Sequence, residues 1–549
     1  MMNWLLALAF LTPLTLAILL SAVELRTWLR PLIPWSALPA LLTALFVPLG
    51  TTLEWPGVLF GVTFTLDATG QVFLLFTAVL WLAASWFERG WEKGDRWAHT
   101  FELCWLLAMA GNFGLIIAAD VASFYLFFAM MSFAAWGLVI HDRSEAALHA
   151  GMVYIVLTVF GEGLLLAGLL LAVATADGEM ALAAIPIALA ESPQQGLIVM
   201  LFLGGFGIKA GLLPLHAWLP LAHPAAPVPA SAVLSGAMIK AGLLGMLTFL
   251  PLGFAPLPDT GLLLTILGLA GVFFGVGYGL LQANIKAVLA YSSVSQMGVM
   301  IAAVGIALAK PELWPLLLPA LGLYALHHAF TKGVLFLSVG MAMRLGPHPL
   351  ILLGAGLAAL SLAGAPLSGG ALAKSALKAP LPESLDWLVW LLALGAAGTS
   401  LLMLRFMQLL RAKDTPTTPD AKGLWGSWGL ALAASLVGPW LAVAWLLEEP
   451  LEIKLWTALW PLLLGGLLGW VLLRLRLPSW PAGDLAELCH DGLQRMHRHP
   501  PPGEPGPSHW QGLGKRLQQW HRRLTAQDVA DSLAGVALLL VALGLYLAL

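Results

Sequence analysis

Apolar runs long enough to cross a bilayer recur along nearly the whole chain, and they decide what it can fold into. They fall at about 3–22, 31–50, 66–87, 100–119, 121–140, 149–175, 195–219, 230–250, 260–282, 287–308, 313–343, 350–378, 385–410, 424–447, 455–473 and 529–549. A spanning helix takes about 20 residues, so sixteen of them would use about 320. Of the 549 residues 60% are hydrophobic and only 10% are Asp, Glu, Lys or Arg, against about 25% charged in an ordinary soluble domain. So few charges cannot clothe a water-facing surface, which excludes a soluble enzyme. The expected fold class is an all-α polytopic membrane protein with about 16 transmembrane helices.

Basic residues in the connections orient the spans. One side holds Arg26, Arg30, Arg89, Lys93, Arg96, Arg143, Lys286, Arg344, Arg411, Lys413 and Lys422, then the eight Lys and Arg of 474–528. The alternate connections 51–65 and 176–194 hold acids and no Lys or Arg, and 251–259 has only Asp259. Lys310 and Lys454 are the exceptions. No basic residue precedes the first run, so it reads as a retained span and not as a signal peptide. Both termini are then expected outside, with the basic connections cytoplasmic, in a cell (inner or plasma) membrane.

Composition removes several partners and cofactors. The net charge is −2, with no basic stripe or recognition motif, so no nucleic-acid partner is expected. Cys104 and Cys489 lie far apart with no CxxC, which supports neither iron–sulfur, structural zinc nor a disulfide framework. No catalytic, cofactor-binding or metal-ligating residue is therefore expected in this chain. Segment 477–528 contains Pro500, Pro501, Pro502, Pro505 and Pro507 between amphipathic pieces near 484–498 and 509–524. It reads as a cytoplasmic linker, kinked because proline breaks a continuous helix. Its histidines, His490, His497, His499, His509 and His521, show no recurring ligand spacing.

Charges inside apolar runs carry the functional signal. Lys209 lies in GGFGIKAGLLPLHAWLP, Lys240 in SGAMIKAGLLG, Lys332 in ALHHAFTKGVLFL, Lys374 in GGALAKSALKAP and Glu162 in VLTVFGEGLLLAG. Each costs about 2.5–3.5 kcal/mol at a helix centre, or about 12–18 kcal/mol for five. Such residues need partners, water or a task. Lys378 sits nearer a helix end, where its stem could reach the interface, and is left out.

Gly211 and Pro214 follow Lys209, while Gly364, Pro366, Gly369 and Gly370 precede Lys374. Gly and Pro interrupt a spanning helix and free backbone polar groups that must face protein or water. The two lysines are 165 residues apart, and corresponding interruptions in two halves are the mark of inverted repeats around a transport site. Packing kinks with snorkelling lysines would leave the same trace. The divisions expected are helices one to three in 1–99, two five-helix repeats in 100–250 and 259–410, further helices in 411–476, the linker 477–528 and a last span 529–549.

His328 and Lys332 stand four apart on one helix face, with His327 and Tyr324 close by. Lys and His can exchange protons where Arg cannot, so this group reads as a relay or as a hydrogen-bonded structural pair. Tyr154, Thr158 and Glu162 make a polar stripe at i, i+4 and i+8. His216 joins the secondary candidates from the Lys209 stretch.

The stretch GIKAGLLPLHAWLPLAHPAAPVPASAVLSGAMIKAGLLG resembles the signature of the proton-conducting antiporter-like membrane subunits. That family includes subunits of respiratory complex I, of membrane-bound hydrogenases and of Mrp Na⁺/H⁺ antiporters. NIKAVLAYSSVSQMGVM and LHHAFTKGVLFLSVG resemble two further family motifs, and the resemblance covers about 65–410. HPAAPVPAS and a lysine at position 240 look most like the hydrogenase and Mrp members. The resemblance implies that Lys209 belongs to the first half-channel and that Lys240 connects the halves. His328 with Lys332 would form the next relay, and Lys374 the exit. It also implies other membrane subunits as partners, redox centres held by those partners, protons as cargo and Na⁺ as a second candidate.

The resemblance also contains a departure. Family members carry a glutamate where this chain has Ala129, in FYLFFAMMSFAAWGL. Either the first half-channel is dead and the subunit is a scaffold, or the acid has moved one helix along to Glu162; an idle Glu162 would be costly, which favours the second. Asn284 stands where members often have Asp, near a helix end. The expected function is a proton-translocating subunit of a redox-driven ion-pumping complex. Alternatives are an Mrp-type antiporter subunit, the membrane partner of an inorganic-carbon uptake complex, and a non-conducting scaffold.

Overall fold

The computed structural model describes residues 3–483 apart from 59–60, 92–94, 415, 417–420, 422, 448–454, 473, 475–477 and 479. The expected linker 477–528 (but for residues 478 and 480–483), the last run 529–549 and Cys489 lie outside the described residues. Within them, thirteen helices are long and apolar enough to cross a membrane, and Gln195–Ala210 and Pro349–Ala363 are shorter apolar helices. The protein is a multi-pass, all-α membrane protein.

Several helices are deeply buried, three of them next to the candidate lysines. In the most apolar window of Val228–Phe249 and of Ile285–Ala309, 94% of residues are buried, whereas the corresponding figures for Leu424–Leu446 and Leu455–Leu472 are 22% and 17%. The third interior helix, within Pro311–Leu345, is buried continuously from Ala320 to Ala342. Two of these carry Lys240, His327, His328 and Lys332, which therefore lie in the interior of the protein.

Small residues permit this packing. Pro258–Leu280 lies against Ile285–Ala309 so closely that a Cβ on Gly261 would sit 2.5 Å from the Gly305 carbonyl oxygen. At Gly268 it would sit 2.6 Å from the Gly298 carbonyl oxygen. Close backbone approach through small side chains is how membrane helices gain dispersion contacts that lipid cannot supply.

The connection at 51–65 contains a β-hairpin. Thr52–Trp55 pairs antiparallel with Val62–Thr65, with Leu53 opposite Phe64. Alternating β-branched and aromatic residues suit a half-buried strand. The inward Phe64 packs on Phe10 at 4.8 Å, and the Thr63 amide donates to Asp120 Oδ2 at 2.8 Å. The hairpin thereby ties the first helix, Asn3–Ser21, to the start of Val121–Val139.

Candidate functional site

The helix carrying Lys209 stops in mid-run. Gly211 adopts φ 73°, its amide bonds Ile208 O at 3.2 Å, and the Leu212 amide bonds Gly207 O at 2.8 Å. A left-handed cap of this kind favours glycine and closes off the last carbonyls. Residues 211–217 are non-helical, and a second short helix follows at Trp218–Ala225. The expected single run 195–219 is thus two pieces joined across a break. Trp218 Nε1 donates to Ile208 O at 2.7 Å, so the end of the first piece is held by an indole.

Lys209 is buried in the last turn before this break. Its Nζ donates to Ser132 Oγ and to Tyr154 Oη, both at 3.1 Å, while Tyr154 Oη donates to Ser132 O at 2.9 Å. Glu162 makes no direct hydrogen bond. Its carboxylate instead shares with Lys209, Ser132, Tyr154 and Thr158 the wall of a cavity of about 10 Å³, room for about one water. Of the polar stripe, Tyr154 and Thr158 thus line the Lys209 cavity. Ala129 lies one turn beyond Tyr125, whose hydroxyl bonds Glu162 O at 3.4 Å.

Lys240 follows a widened, π-helical turn at Leu234–Met238, a feature that often marks functional positions. Its Nζ donates back to Ser235 O at 2.6 Å. Ser235 Oγ pairs with Ser293 Oγ at 2.7 Å. Lys332 Nζ donates to Leu289 O at 2.6 Å and to Ser292 Oγ. Residues 289–293 are thus bonded directly by Lys332 and reached from Lys240 only through Ser235.

His328 shares a face with Lys332, but the hydrogen-bonded structural pair is not formed. Both His328 ring nitrogens are buried without a hydrogen-bond partner, and Lys240 and Lys332 are its charged neighbours. His327 Nδ1 meets Thr331 Oγ1 at 3.3 Å, while its Nε2 has no partner. That nitrogen faces the second helix break, where a Cβ on Gly370 would lie 3.1 Å away.

The second break separates Pro349–Ala363 from Gly369–Lys378, with Gly364 at φ 91°. Lys374 reaches back over it: its Nζ donates to Leu362 O at 2.9 Å and Ala363 O at 2.6 Å. A cation there complements the negative end of the first half-helix. Tyr324 Oη donates to Gln296 Oε1 at 2.9 Å, and Gln296 Nε2 donates to Thr399 Oγ1 at 3.0 Å. Gln296, Tyr324, Thr399 and Lys374 line one cavity of about 30 Å³. His216 lies in the non-helical stretch after Lys209, edge-on to Phe274 at 4.9 Å.

Several participants were missed from sequence. Ser132 and Ser292 accept from lysines, Ser293 pairs with Ser235 and Gln296 with Tyr324, yet each belongs to a type common in packed membrane helices. His223 is fully buried, stacked on Phe336 at 4.7 Å, with both nitrogens unpartnered and Lys240, Lys286 and Lys332 nearby. Inspecting every histidine of the HAWLPLAHPAA stretch would have found it. Glu102, also unremarked, is buried and pairs with Arg30 at 3.0 Å.

Residues 118–402 match a family model described as NADH:quinone oxidoreductase/Mrp antiporter, TM. The chain belongs to this family. The matched stretch contains every candidate from Tyr154 to Lys374. Among family relatives, hydrogenase-4 component B of Escherichia coli is 33% identical over 256 residues, 45% of this chain and 38% of that protein. An Na(+)/H(+) antiporter subunit of Alkalihalophilus pseudofirmus is 25% identical over 335 residues, 58% of this chain and 66% of that protein. The chain thus spans less than two thirds of the length of these relatives. A chain of the Mrp complex from a Dietzia species superposes with TM-score 0.66 at 23% identity, covering 81% of this chain and 94% of that one. An archaeal membrane-bound sulfane sulfur reductase gives TM-score 0.65 at 21% identity, covering 80% and 99%. At these identities the structures speak for the fold.

Proposed function

We propose that this chain is a proton-translocating subunit of a multisubunit ion-pumping membrane complex, driven by redox partners as in complex I-like or hydrogenase-like assemblies. The observation that carries the reading is the set of buried titratable groups Glu162, Lys209, Lys240, His328 and Lys332, with half-buried Lys374 at the second helix break. Serine hydroxyls and orphaned imidazole nitrogens stand among them, one small cavity joins Glu162 and Lys209, and a second opens beside Lys374. Placing such groups in a bilayer is expensive, and their types are those that can gain and lose a proton. Two half-channels, 100–250 and 259–410, would meet at Lys240, with the basic connections on the cytoplasmic face of the cell membrane. Glu162 at the Lys209 cavity supports a displaced acid over a dead scaffold.

A second reading, ion exchange in an Mrp-type assembly, is favoured by the alignment with the Alkalihalophilus pseudofirmus antiporter protein, which extends over more of both proteins than the hydrogenase alignment. Gentle-detergent purification of the tagged chain, with mass spectrometry of partners and a visible spectrum, tests these readings. Iron–sulfur absorbance with redox subunits is the expected result. A colourless assembly of membrane subunits shifts the reading to gradient-driven exchange, and a chain that purifies alone overturns both.

A further inference from the structure

The cavity beside Lys374 holds a second lysine that the path above does not use. Lys378 follows Lys374 by one turn, so the two share a helix face, and both line the cavity with Gln296, Tyr324, Ser375 and Thr399. Its volume of about 30 Å³ accommodates about two waters. No carboxylate lines it. Lys374 has the half-helix carbonyls of Leu362 and Ala363 to hold its ammonium. Lys378, half-buried at the last residue of its helix, is one turn further along that helix from the break. The chain runs on from it into the connection before Glu383–Arg411, opposite the end where Arg411 joins the basic connections.

We propose that Lys378 is the release residue of the proton path: it takes the proton from Lys374 across the shared cavity and delivers it to the outer face. The step moves one proton. The Lys374 ammonium becomes a neutral amine, the Lys378 amine becomes an ammonium, and that proton then passes to outer water, restoring the Lys378 amine. Two ammonium groups in an acid-free cavity repel, so a proton arriving at Lys374 favours the departure of one already on Lys378. The inference rests on the proton-translocating reading above.

The test uses the purified complex in liposomes, with proton flux driven by an imposed potassium diffusion potential and read by an internal pH dye. Lys374→Met should abolish flux, which checks the underlying reading; unchanged flux there overturns that reading and this inference together. With Lys374→Met inactive, Lys378→Met should slow flux at least fivefold. Lys378→Arg separates the roles, because arginine keeps charge and interfacial anchoring but does not give up a proton. It should fail to restore flux, whereas Lys378→His should restore part of it. Wild-type flux in either Lys378→Met or Lys378→Arg, with the complex intact on gel filtration, overturns the release role and leaves the Lys374 path standing.

Discussion

Glu162 faces Lys209 from the adjoining helix across a cavity that holds about one water, and not through a direct ion pair. This spacing suits a pair that must separate charge during turnover. A contact pair in low dielectric would hold the proton too firmly, while a wide gap would leave each charge alone with its desolvation cost. Glu162→Gln should therefore lower proton flux in the reconstituted complex by about tenfold, equivalent to about 1.4 kcal/mol. Adding Ala129→Glu to that variant should recover part of the flux, since position 129 lies one turn from Tyr125, which touches the Glu162 backbone. Wild-type flux in Glu162→Gln would end the idea of a displaced acid.

Lys374 has two tasks that substitution can separate. Its ammonium holds the open carbonyls of Leu362 and Ala363, which is structural, and its proton is the proposed cargo. Arginine retains the first task and loses the second, because a guanidinium stays protonated. Lys374→Arg should assemble with near-normal thermal stability and carry at least tenfold less flux. An active Lys374→Arg would reduce this residue to a helix cap.

Residues differ in how far their roles can be read from sequence. An ionisable side chain in an apolar run is conspicuous because its insertion is costly, so Lys209, Lys240, Lys332, Lys374 and Glu162 were legible. Gly211 and Gly364 marked the two helix breaks because a left-handed cap favours glycine. Serine gives no such signal: Ser132 and Ser292 occupy positions that any small residue could fill, and only three-dimensional proximity shows them bonded to lysines. The widened turn before Lys240 has no local sequence signature either, since i→i+5 bonding answers to tertiary packing. The hairpin at Thr52–Trp55 and Val62–Thr65 was overlooked although both strands alternate polar and apolar residues, because each sits at the four-residue lower limit of that signal.

Gly370 marks where the second break is intolerant. A Cβ there would overlap the Ser361 carbonyl oxygen and crowd His327 Nε2 at 3.1 Å. Backbone cannot yield as a flexible side chain does, so Gly370→Ala should cost about 1–3 kcal/mol, in the range of overpacked cores. The expected readouts are a lower melting temperature of the detergent-solubilised complex and a loss of flux. Gly426→Ala, where added carbon meets nothing within 4 Å, should leave both unchanged.

His328 separates stability from function most sharply. Both its ring nitrogens are buried and unpartnered, and an unsatisfied polar group of this kind costs about 1–3 kcal/mol. If the imidazole were only filler, leucine of similar volume would remove that cost and leave transport intact. If it passes protons between Lys240 and Lys332, the same change should leave the melting temperature equal to or above that of the wild type while flux falls at least tenfold. His328→Leu, assayed for thermal stability and for dye-reported proton flux on one preparation, decides between them. A stable and fully active variant would remove His328 from the path.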